Sequence, residues 1–436
     1  MKITKVKMDK DIRKIVKAAI LKNQKTGDAI PVSGKIFDEA ELSNLIQASL
    51  EGWWTEGKWT EEFENKLKKF LGVKYLFACN SGSSANLLAF SALCSPSLGS
   101  RRIKKGDEVI TLACGFPTTV NPIIQNGCIP VFIDIELETY GINVDELEKA
   151  RSKKTKAVFV AHTLGNPFNI LKVRSFCNKH KLWLIEDNCD ALGSKYKGKY
   201  TGNFGDISTL SFYPAHHITT AEGGAVMTDN PKLVKIIRSI RDWGRHCWCP
   251  TGKDNTCKNR YNWQLGKLPK GYDHKYIYGE IGYNLKISDL HAAIGVAQVD
   301  KLPSFIKIRK KNFANLSKQM KQFEEYFILP KSLKDADPSW FGFLITIKEG
   351  KVDRGDLLRY LEKNRVGSRL LFGGNLTKQP YLSDNKDIKF RIVGKLKNTD
   401  YIMKNTFWIG LYQGIDEKMI DRVIKVFKIY FSKQNK

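Results

Sequence analysis

Short apolar runs alternate with helical patterns from about residue 73 to residue 229, and this alternation limits the possible folds more than any other feature of the chain. Helical patterns such as SSANLLAFSAL (83–93) and LKVRSFCNKHK (171–181) separate the apolar runs. The strand-like runs are VKYLFAC (73–79), DEVITLA (107–113), IPVFIDI (129–135), KAVFVAHTL (156–164), LWLIED (182–187), ISTLSFY (207–213) and GGAVMTD (223–229). Because strands that alternate regularly with helices form doubly wound sheets, an α/β protein with a mostly parallel sheet is predicted. Ligands of such sheets bind beyond the carboxyl ends of the strands.

The second half of the chain has a different pattern. A loop rich in Gly, Pro, Lys and Cys extends to about residue 280, and a long helical region, one strand and two further helices follow at 288–320, 341–348, 354–364 and 416–432. A chain of 436 residues is long enough for two or three domains. We interpret residues 1–290 as a large domain with a cysteine-bearing loop at 244–280, and residues 291–436 as a smaller α/β domain.

The chain is strongly basic, with 72 Lys+Arg against 45 Asp+Glu and a formal charge of +27. The excess is spread along the chain and comes with no helix-turn-helix or zinc-finger pattern, so no nucleic-acid partner is predicted. The first twenty residues lack the apolar run of a secretory signal, and no run of 18 apolar residues occurs. These observations predict a cytoplasmic protein without membrane insertion, in which cysteines stay reduced.

Two polar segments follow predicted strands. Asn-Ser-Gly-Ser-Ser (80–84) offers backbone amides and hydroxyls at a helix N-terminus, an arrangement that suits a phosphate. Ile-Glu-Asp-Asn (185–188) places a carboxylate at a strand end, where it could pair with a protonated ring nitrogen. Alone, the first segment is more often a simple helix N-cap, and the second is explained equally well as an N-cap.

A third segment, SFYPAHHITTAEGGAVMTD (211–229), gives the set a family resemblance. Together the three segments resemble the sugar aminotransferases of the DegT/DnrJ/EryC1/StrS family. The resemblance covers most of the chain, including GFPTTVNP (115–122), PVFIDIELETYGIN (130–143), GYNLKISDLHAAIGVAQ (282–298) and RLLFGGNLTKQPYL (369–382). It implies the fold type I, aspartate aminotransferase-like architecture, with a large and a smaller domain, and pyridoxal phosphate as cofactor.

One residue departs from the family pattern in a way that bears on chemistry. The lysine that forms a Schiff base with the cofactor in those aminotransferases aligns with His216, and no lysine lies between Ser211 and Asp229. A Schiff base needs a primary amine, which imidazole does not supply. We therefore expect pyridoxamine phosphate to be held non-covalently, with His216 as a catalytic base.

The nine cysteines fall into two groups. Four of them are candidate metal ligands: Cys189, Cys247, Cys249 and Cys257, separated by 57, one and seven residues. Four soft ligands suit tetrahedral zinc or an iron–sulfur cluster, although Cys-x-Cys is unusual for zinc, and spacing alone leaves zinc, iron–sulfur and coincidence open. The other five are interpreted as ordinary buried thiols: Cys79, Cys94, Cys114, Cys128 and Cys177.

The histidine and the cysteine spacing together are similar to the iron–sulfur 3-dehydrases of 3,6-dideoxyhexose biosynthesis, in which these spacings bind a [2Fe-2S] cluster. That resemblance implies CDP-4-dehydro-6-deoxyglucose as substrate, in a pathway to lipopolysaccharide O-antigen. The 3-hydroxyl would be eliminated after the sugar joins pyridoxamine phosphate. The cluster would then relay two electrons from a separate NAD(P)H-dependent flavin and iron–sulfur reductase.

The resemblance also implies roles for single residues. Asp187 would pair with the pyridinium nitrogen, Phe116 would stack on the ring, and the phosphate would be held by Gly82, Ser83 and Ser211. Asp190 replaces a usual Gln beside the cofactor, and Asn284 would act across a homodimer interface. Weaker candidates for the sugar nucleotide are Arg369, Asn375 and the segment IPVSGK (30–35).

Two other functions remain open. One is a pyridoxamine-dependent sugar 3-dehydratase without a cluster, which shares the histidine but does not need the four cysteines. The other is a non-catalytic regulator on an aminotransferase scaffold, with structural zinc. Retention of Asp187, Ser83, Ser211 and Asn284 disfavours the regulator, because a scaffold without catalysis has no need of cofactor contacts.

Overall fold

The computed structural model describes residues 5–23 and 27–434, which contain thirteen α-helices and fifteen strands. The helices are α1 (Lys5–Asn23), α2 (Glu39–Leu50), α3 (Lys58–Leu71), α4 (Gly82–Leu93), α5 (Pro117–Gln125), α6 (Leu147–Ala150), α7 (Ile170–Lys179), α8 (Pro231–Arg241), α9 (Asp289–Met320), α10 (Arg354–Lys363), α11 (Pro380–Ser383), α12 (Lys397–Asn405) and α13 (Glu417–Gln434). The strands are β1 (Tyr75–Cys79), β2 (Glu108–Leu112), β3 (Ile129–Ile133), β4 (Thr155–Ala161), β5 (Trp183–Asp187), β6 (Lys195–Tyr196), β7 (Lys199–Tyr200), β8 (Ile207–Ser211), β9 (Gly224–Thr228), β10 (Phe327–Ile328), β11 (Ala336–Asp337), β12 (Phe343–Ile347), β13 (Ser368–Leu370), β14 (Arg391–Ile392) and β15 (Thr406–Ile409).

An eight-stranded sheet in the order β1-β9-β8-β5-β4-β2-β3-β14 forms the centre of the protein. Strand β9 runs antiparallel to both of its neighbours, and every other pairing in the sheet is parallel. All residues of β2, β5, β8 and β9 are buried, as expected of strands with helices on both faces. The prediction of a mostly parallel, mixed sheet in an α/β fold is confirmed.

The C-terminal part builds a second, antiparallel sheet in the order β10-β12-β15-β13. The 32-residue helix α9 connects the two regions. Its first half packs in one core with Phe63 of α3, while Leu316 and Met320 belong to the core around Phe343 of β12. The C-terminal part also returns β14 to the edge of the large sheet, where Arg391 pairs with Val131. The domain division at residue 290 stays a prediction.

Strand ends determine where chemistry is possible in this fold. Asp187 is the last residue of β5 and Ser211 is the last residue of the parallel neighbour β8. Helix α4 begins at Gly82, three residues after β1 ends, and α5 begins directly after Phe116. The polar segments predicted from the sequence therefore meet at one edge of the sheet.

Two smaller expectations concern membranes and thiols. Among the described residues, no helix has the length and apolar character needed to span a membrane. Of the five cysteines interpreted as buried thiols, Cys79, Cys114, Cys128 and Cys177 are buried, and Cys94 is partly exposed.

Candidate active site

A cavity of about 760 Å³ opens at this edge of the large sheet. Nine of the residues predicted for the site line it: Gly82, Ser83, Phe116, Asp187, Cys189, Asp190, Ser211, His216 and Arg369. Val32 and Ser33 of the segment 30–35 also line it, and Phe341, Leu370 and Trp408 contribute from the C-terminal part. No lysine is among the described residues that line the cavity.

The N-terminus of α4 forms one end of the cavity. The Ser81 hydroxyl caps the helix by accepting a hydrogen bond from the Ser84 amide at 3.0 Å, and the Ser83 hydroxyl donates to Thr118 Oγ1 at 3.1 Å. A Cβ atom at Gly82 would lie 2.5 Å from Cβ of Ser211, so only glycine lets the helix approach β8 this closely. The free amides of a helix N-terminus beside two hydroxyls form a cradle for a phosphate.

The Asp187 carboxylate is buried and held by three donors. Its Oδ2 accepts hydrogen bonds from Asn86 Nδ2 at 2.9 Å and from Thr119 Oγ1 at 2.6 Å, and its Oδ1 accepts from the Cys189 amide at 3.1 Å. Asn86 is itself oriented by Thr209, whose hydroxyl donates to Asn86 Oδ1 at 2.7 Å. All three contacts donate to the carboxylate and fix its orientation, so that it could accept a further bond from a protonated ring nitrogen. Asn86 and Thr119 were not predicted from the sequence.

His216 lies in a turn after β8, where its amide donates to the Tyr213 carbonyl at 2.9 Å. Its Nδ1 is 3.6 Å from Oδ1 of Asp190. Burial lowers the pKa of His216 to about 4, so the imidazole is neutral at pH 7 and free to accept a proton. Burial, and then the charge of Asp187, raise the pKa of Asp190 to about 8. The close pair is therefore neutral at pH 7 and is not an ion pair.

Buried Arg309 of α9, another residue missed in the sequence, fixes the backbone of the histidine turn. Its Nη2 donates to the His216 carbonyl at 3.2 Å, while Nη1 donates to the carbonyls of Trp340 and Phe341. The Phe341 ring centroid lies 5.1 Å from that of His216. The C-terminal part thus holds the imidazole in position from the side opposite the sheet.

Two residues predicted to contact cofactor or substrate lie outside this cavity. Asn284 is exposed, and its Oδ1 accepts from Lys286 Nζ at 2.8 Å. Asn375 is buried and supports its own loop, since its Nδ2 donates to Asp400 at 2.7 Å and its Oδ1 caps the following turn. A direct substrate contact for Asn375 stays a prediction without support from its position.

Three of the four predicted cysteine ligands come together in the loop at 244–280, and a histidine joins them. The distances from His274 Nδ1 are 3.1 Å to Sγ of Cys247, 4.0 Å to Sγ of Cys249 and 3.0 Å to Sγ of Cys257. These four donor atoms all lie within 4.8 Å of one another.

The fourth predicted ligand, Cys189, is not in this group, so the structure does not assemble the expected four-cysteine set. Cys189 follows β5 by two residues, and the bond from its amide to Asp187 directs it to the cavity. Its Sγ contacts Thr209 Oγ1 at 3.9 Å. Burial raises the pKa of this thiol well above its ordinary value.

Backbone geometry explains how the loop gathers its donors. Asp273 caps the turn His274–Tyr276, and the His274 amide donates to the Arg260 carbonyl at 2.9 Å. The amides of Cys249 and Cys257 donate to Sγ of Cys247 and of Cys249, each at 3.3 Å. Such N–H···S bonds stabilise thiolates. The available sequence signal was a histidine within the same loop as three cysteines.

The fold and cavity together define a class of protein. The protein has a mostly parallel sheet with one reversed strand and a smaller antiparallel sheet. Its cavity offers a phosphate cradle, a buried carboxylate and the half-exposed ring of Phe116. Together these features define a fold type I enzyme scaffold that fits pyridoxal or pyridoxamine phosphate. Residues 35–428 match the DegT/DnrJ/EryC1/StrS aminotransferase family, and the chain belongs to that family.

Relatives of known name agree with this assignment. The chain is 53% identical over 403 residues to the lipopolysaccharide biosynthesis protein RfbH of Salmonella typhimurium, covering 92% of each chain. It is 46% identical to a dTDP-4-dehydro-2,6-dideoxy-D-glucose 3-dehydratase of Saccharopolyspora spinosa, covering 92% of this chain and 87% of the relative. The solved structure of an E. coli GDP-4-keto-6-deoxy-D-mannose-3-dehydratase with bound hydrated PLP is similar with a TM-score of 0.80 and 29% identity, over 91% of this chain and 98% of the other.

Proposed function

We propose that this protein is a nucleotide-sugar 3-dehydrase that removes the 3-hydroxyl of CDP-4-dehydro-6-deoxyglucose in 3,6-dideoxyhexose and O-antigen biosynthesis. Its relatives support the coarser part of this proposal, since they include 3-dehydratases of 4-keto sugars and a lipopolysaccharide biosynthesis protein. The choice of CDP as the nucleotide rests on the resemblance in cysteine spacing, because the 3-dehydratases among the relatives are named for dTDP and GDP sugars.

The observation that carries the proposal is the presence of His216, and of no lysine among the described lining residues, in a cavity that keeps Asp187 and Ser211. A lysine would allow the cofactor to return to a covalent Schiff base and complete amino transfer. With histidine in that position the cofactor is pyridoxamine phosphate held by contacts alone, and elimination becomes the outcome.

The residues divide the work between binding and proton transfer. Bound pyridoxamine phosphate would supply an amine for the 4-keto group and a ring that withdraws electrons. Asp187 would pair with the protonated ring nitrogen, and the α4 N-terminus with Ser83 and Ser211 would hold the phosphate. Neutral His216 would accept a proton from C4′ of the bound cofactor, and a proton delivered to the departing 3-hydroxyl would let it leave as water. Arg309 keeps the imidazole oriented through the His216 carbonyl.

The complete reaction also needs a reductant. Replacing the C3 hydroxyl by hydrogen consumes two electrons and two protons and releases one water. The thiolates of the 244–280 loop would hold a [2Fe-2S] cluster that supplies one-electron transfer, and a separate NAD(P)H-dependent flavin and iron–sulfur reductase is the electron source. Cys247, Cys249 and Cys257 are the chain's own contribution to this centre.

The proposal extends to assembly and location. Asn284 is exposed outside the cavity of its own chain, which suits a contribution to the partner's site in a homodimer. The protein would work in the cytoplasm, where nucleotide sugars and NAD(P)H are available. A mass measurement in solution that gives a monomer would refute the dimer.

A second candidate is a 3-dehydratase without a cluster, in which the two electrons would come from oxidation of the cofactor's amine to an aldehyde, so that an amino acid would be needed as amino donor to restore the amine. It is favoured by the similarity in fold to the GDP-4-keto-6-deoxy-D-mannose-3-dehydratase over 91% of this chain. That candidate predicts full turnover by protein stripped of metal. A non-catalytic scaffold with structural zinc predicts no turnover under any condition.

The decisive experiment incubates the protein with CDP-, dTDP- and GDP-4-keto-6-deoxy sugars, with and without reductase and NADH, followed by mass analysis. We expect loss of one oxygen from the CDP sugar only when reductase and NADH are present. The His216→Asn variant should still bind pyridoxamine phosphate but lose exchange of the C4′ proton by about a hundredfold or more. Unchanged exchange would exclude His216 as the base, and product formed without reductase would favour the second candidate.

A further inference from the structure

The group formed by Cys247, Cys249, Cys257 and His274 has a geometry that ordinary hydrogen bonding does not explain. A ring nitrogen offers either one proton or one lone pair, yet three sulfur atoms surround His274 Nδ1 at 3.0, 3.1 and 4.0 Å. In a tetrahedral centre with metal–sulfur bonds of about 2.3 Å and metal–nitrogen bonds of about 2.0 Å, sulfur and nitrogen ligands lie about 3.5 Å apart. The observed separations fall around that value.

From this geometry we infer that His274 Nδ1 is the fourth ligand of a Cys₃His metal centre, and that Cys189 is not a ligand of that centre but a residue of the cofactor cavity. The inference rests on the proposed function, because it concerns the same centre. Four donors around one point fit a single tetrahedral metal ion, and a [2Fe-2S] cluster, which takes two ligands on each iron, would need the two donor pairs to lie farther apart. The inference specifies which residues bind the metal. The metal itself would be one that prefers thiolate ligands, such as iron or zinc. The resemblance in spacing had implied four cysteines.

The surroundings of His274 support a ligand role. Its side chain is fully buried, and its Nε2 has no hydrogen-bond partner, with the Asp273 carboxylate at 3.9 Å. Ligating histidines usually direct their second nitrogen towards a carboxylate, which fixes the ring orientation. The Trp263 ring centroid lies 6.4 Å from that of His274, in an edge-to-face arrangement.

The position of Cys189 argues against a shared centre. The Cys189 backbone amide donates a hydrogen bond to Asp187, and the Cys189 Sγ contacts the hydroxyl of Thr209. The three loop cysteines and His274 already supply four donors within 4.8 Å of one another. Cys189, which also belongs to the described part of the chain, is not among these four residues.

The inference is tested on purified protein by metal and sulfide analysis and by pulsed EPR of the reduced centre. Cys189→Ser should keep the metal content and the spectrum of the unmodified protein. His274→Ala should lower bound metal by about tenfold or more. His246→Ala is the matched control, since His246 is an exposed histidine of the same loop outside the donor group, and it should retain metal.

His274→Cys provides a second variant if the alanine variant does not fold. In a centre with a histidine ligand, the native spectrum contains coupling to a directly bonded nitrogen, which His274→Cys should abolish while metal remains. The midpoint potential should also fall, since histidine ligation raises it. Loss of metal from Cys189→Ser, or nitrogen coupling that survives in His274→Cys, would overturn the inference.

The outcomes separate this inference from the proposed function. Iron and sulfide bound in a His274-dependent way support both. Zinc, or a single iron without sulfide, bound in a His274-dependent way supports the donor set and contradicts the [2Fe-2S] cluster. Two iron and two sulfide that require Cys189 support the proposed function and refute the donor set.

Discussion

At the scale of single residues, the cavity controls protonation through burial. Asp187 is surrounded by three donors, whereas the nearby pair of Asp190 and His216 has few partners. Burial therefore dominates the pair and keeps both members neutral at pH 7.

The low pKa of His216 predicts that the free energy of unfolding depends on pH, and that this dependence is weaker in the His216→Asn variant. The pKa is about 4 in the folded protein and 6.5 in the ordinary case, so between these pH values the unfolded chain binds more protons. The stability that neutral His216 maintains is complete above pH 6.5 and is lost as the pH falls through 4. Relative to the variant, the protein should lose up to about 3 kcal/mol of unfolding free energy between pH 7 and pH 4.

Denaturant titrations of both proteins at a series of pH values measure this difference. Asp190 contributes with the opposite sign, because its raised pKa costs stability as the pH rises from 3.8 towards 8. Since Asp190 is present in both proteins, its effect largely cancels in the comparison. Stability curves that run parallel from pH 7 to pH 4 would show that His216 is not buried in its neutral form.

Some site residues could be predicted from the sequence and others could not, for a physical reason. Gly82, Asp187 and Ser211 stand directly after strands, and parallel strand ends converge in any doubly wound sheet. Asn86 and Thr119 lie within ordinary helical segments, so only the packing of α4 and α5 against β5 brings them to Asp187. His274 is 17 residues from Cys257, and only the folded loop reveals that it meets the cysteines.

At the scale of elements, the strands and helices followed their apolar patterns closely. The helix predicted at 83–93 is α4 at Gly82–Leu93, and the strand predicted at 341–348 is β12 at Phe343–Ile347. The two-residue strand β14 had no pattern of its own, because its pairing with β3 is a tertiary contact. Periodicity predicts elements that bury a face, and it does not detect edge strands this short.

The N-terminus of helix α3 is capped by a carboxylate from another element of the fold. Buried Asp289, the first residue of α9, accepts hydrogen bonds at Oδ1 from the Gly57 amide at 2.8 Å and the Thr60 amide at 3.0 Å, and at Oδ2 from the Trp59 amide at 3.1 Å. Asp289→Ala should lower the free energy of unfolding by about 3 kcal/mol, because buried amides would lose a charged acceptor.

Asp300→Ala in the same helix is the matched control. Asp300 is 66% exposed and bonds Lys66 Nζ at 2.7 Å, so its loss should cost less than about 1 kcal/mol. Denaturant unfolding followed by circular dichroism compares the two variants. Equal costs would mean that Asp289 contributes no more than a surface ion pair.

In the complete chain, the cavity is lined by residues of the large sheet region and by residues of the C-terminal part, which the long helix α9 connects. Asp187 and Ser211, at the ends of strands of the large sheet, line the cavity together with Phe341, Arg369 and Trp408 from the C-terminal part. The formal charge of +27 is also a property of the complete chain, because its electrostatic field acts on any charged molecule that approaches.

The charge predicts that electron delivery depends on ionic strength. The proposed substrate carries a diphosphate and the proposed reductase must dock repeatedly, and a positive field raises encounter rates with anionic partners by tenfold or more. The second-order rate of reduction by the reductase, measured by stopped flow, should therefore fall about tenfold or more between low salt and 0.5 M salt, where screening shortens the field to a few ångströms. Reduction by a neutral photoreduced deazaflavin is the control and should stay constant. A reductase rate that is equally insensitive to salt would show that the basic surface does not steer this partner.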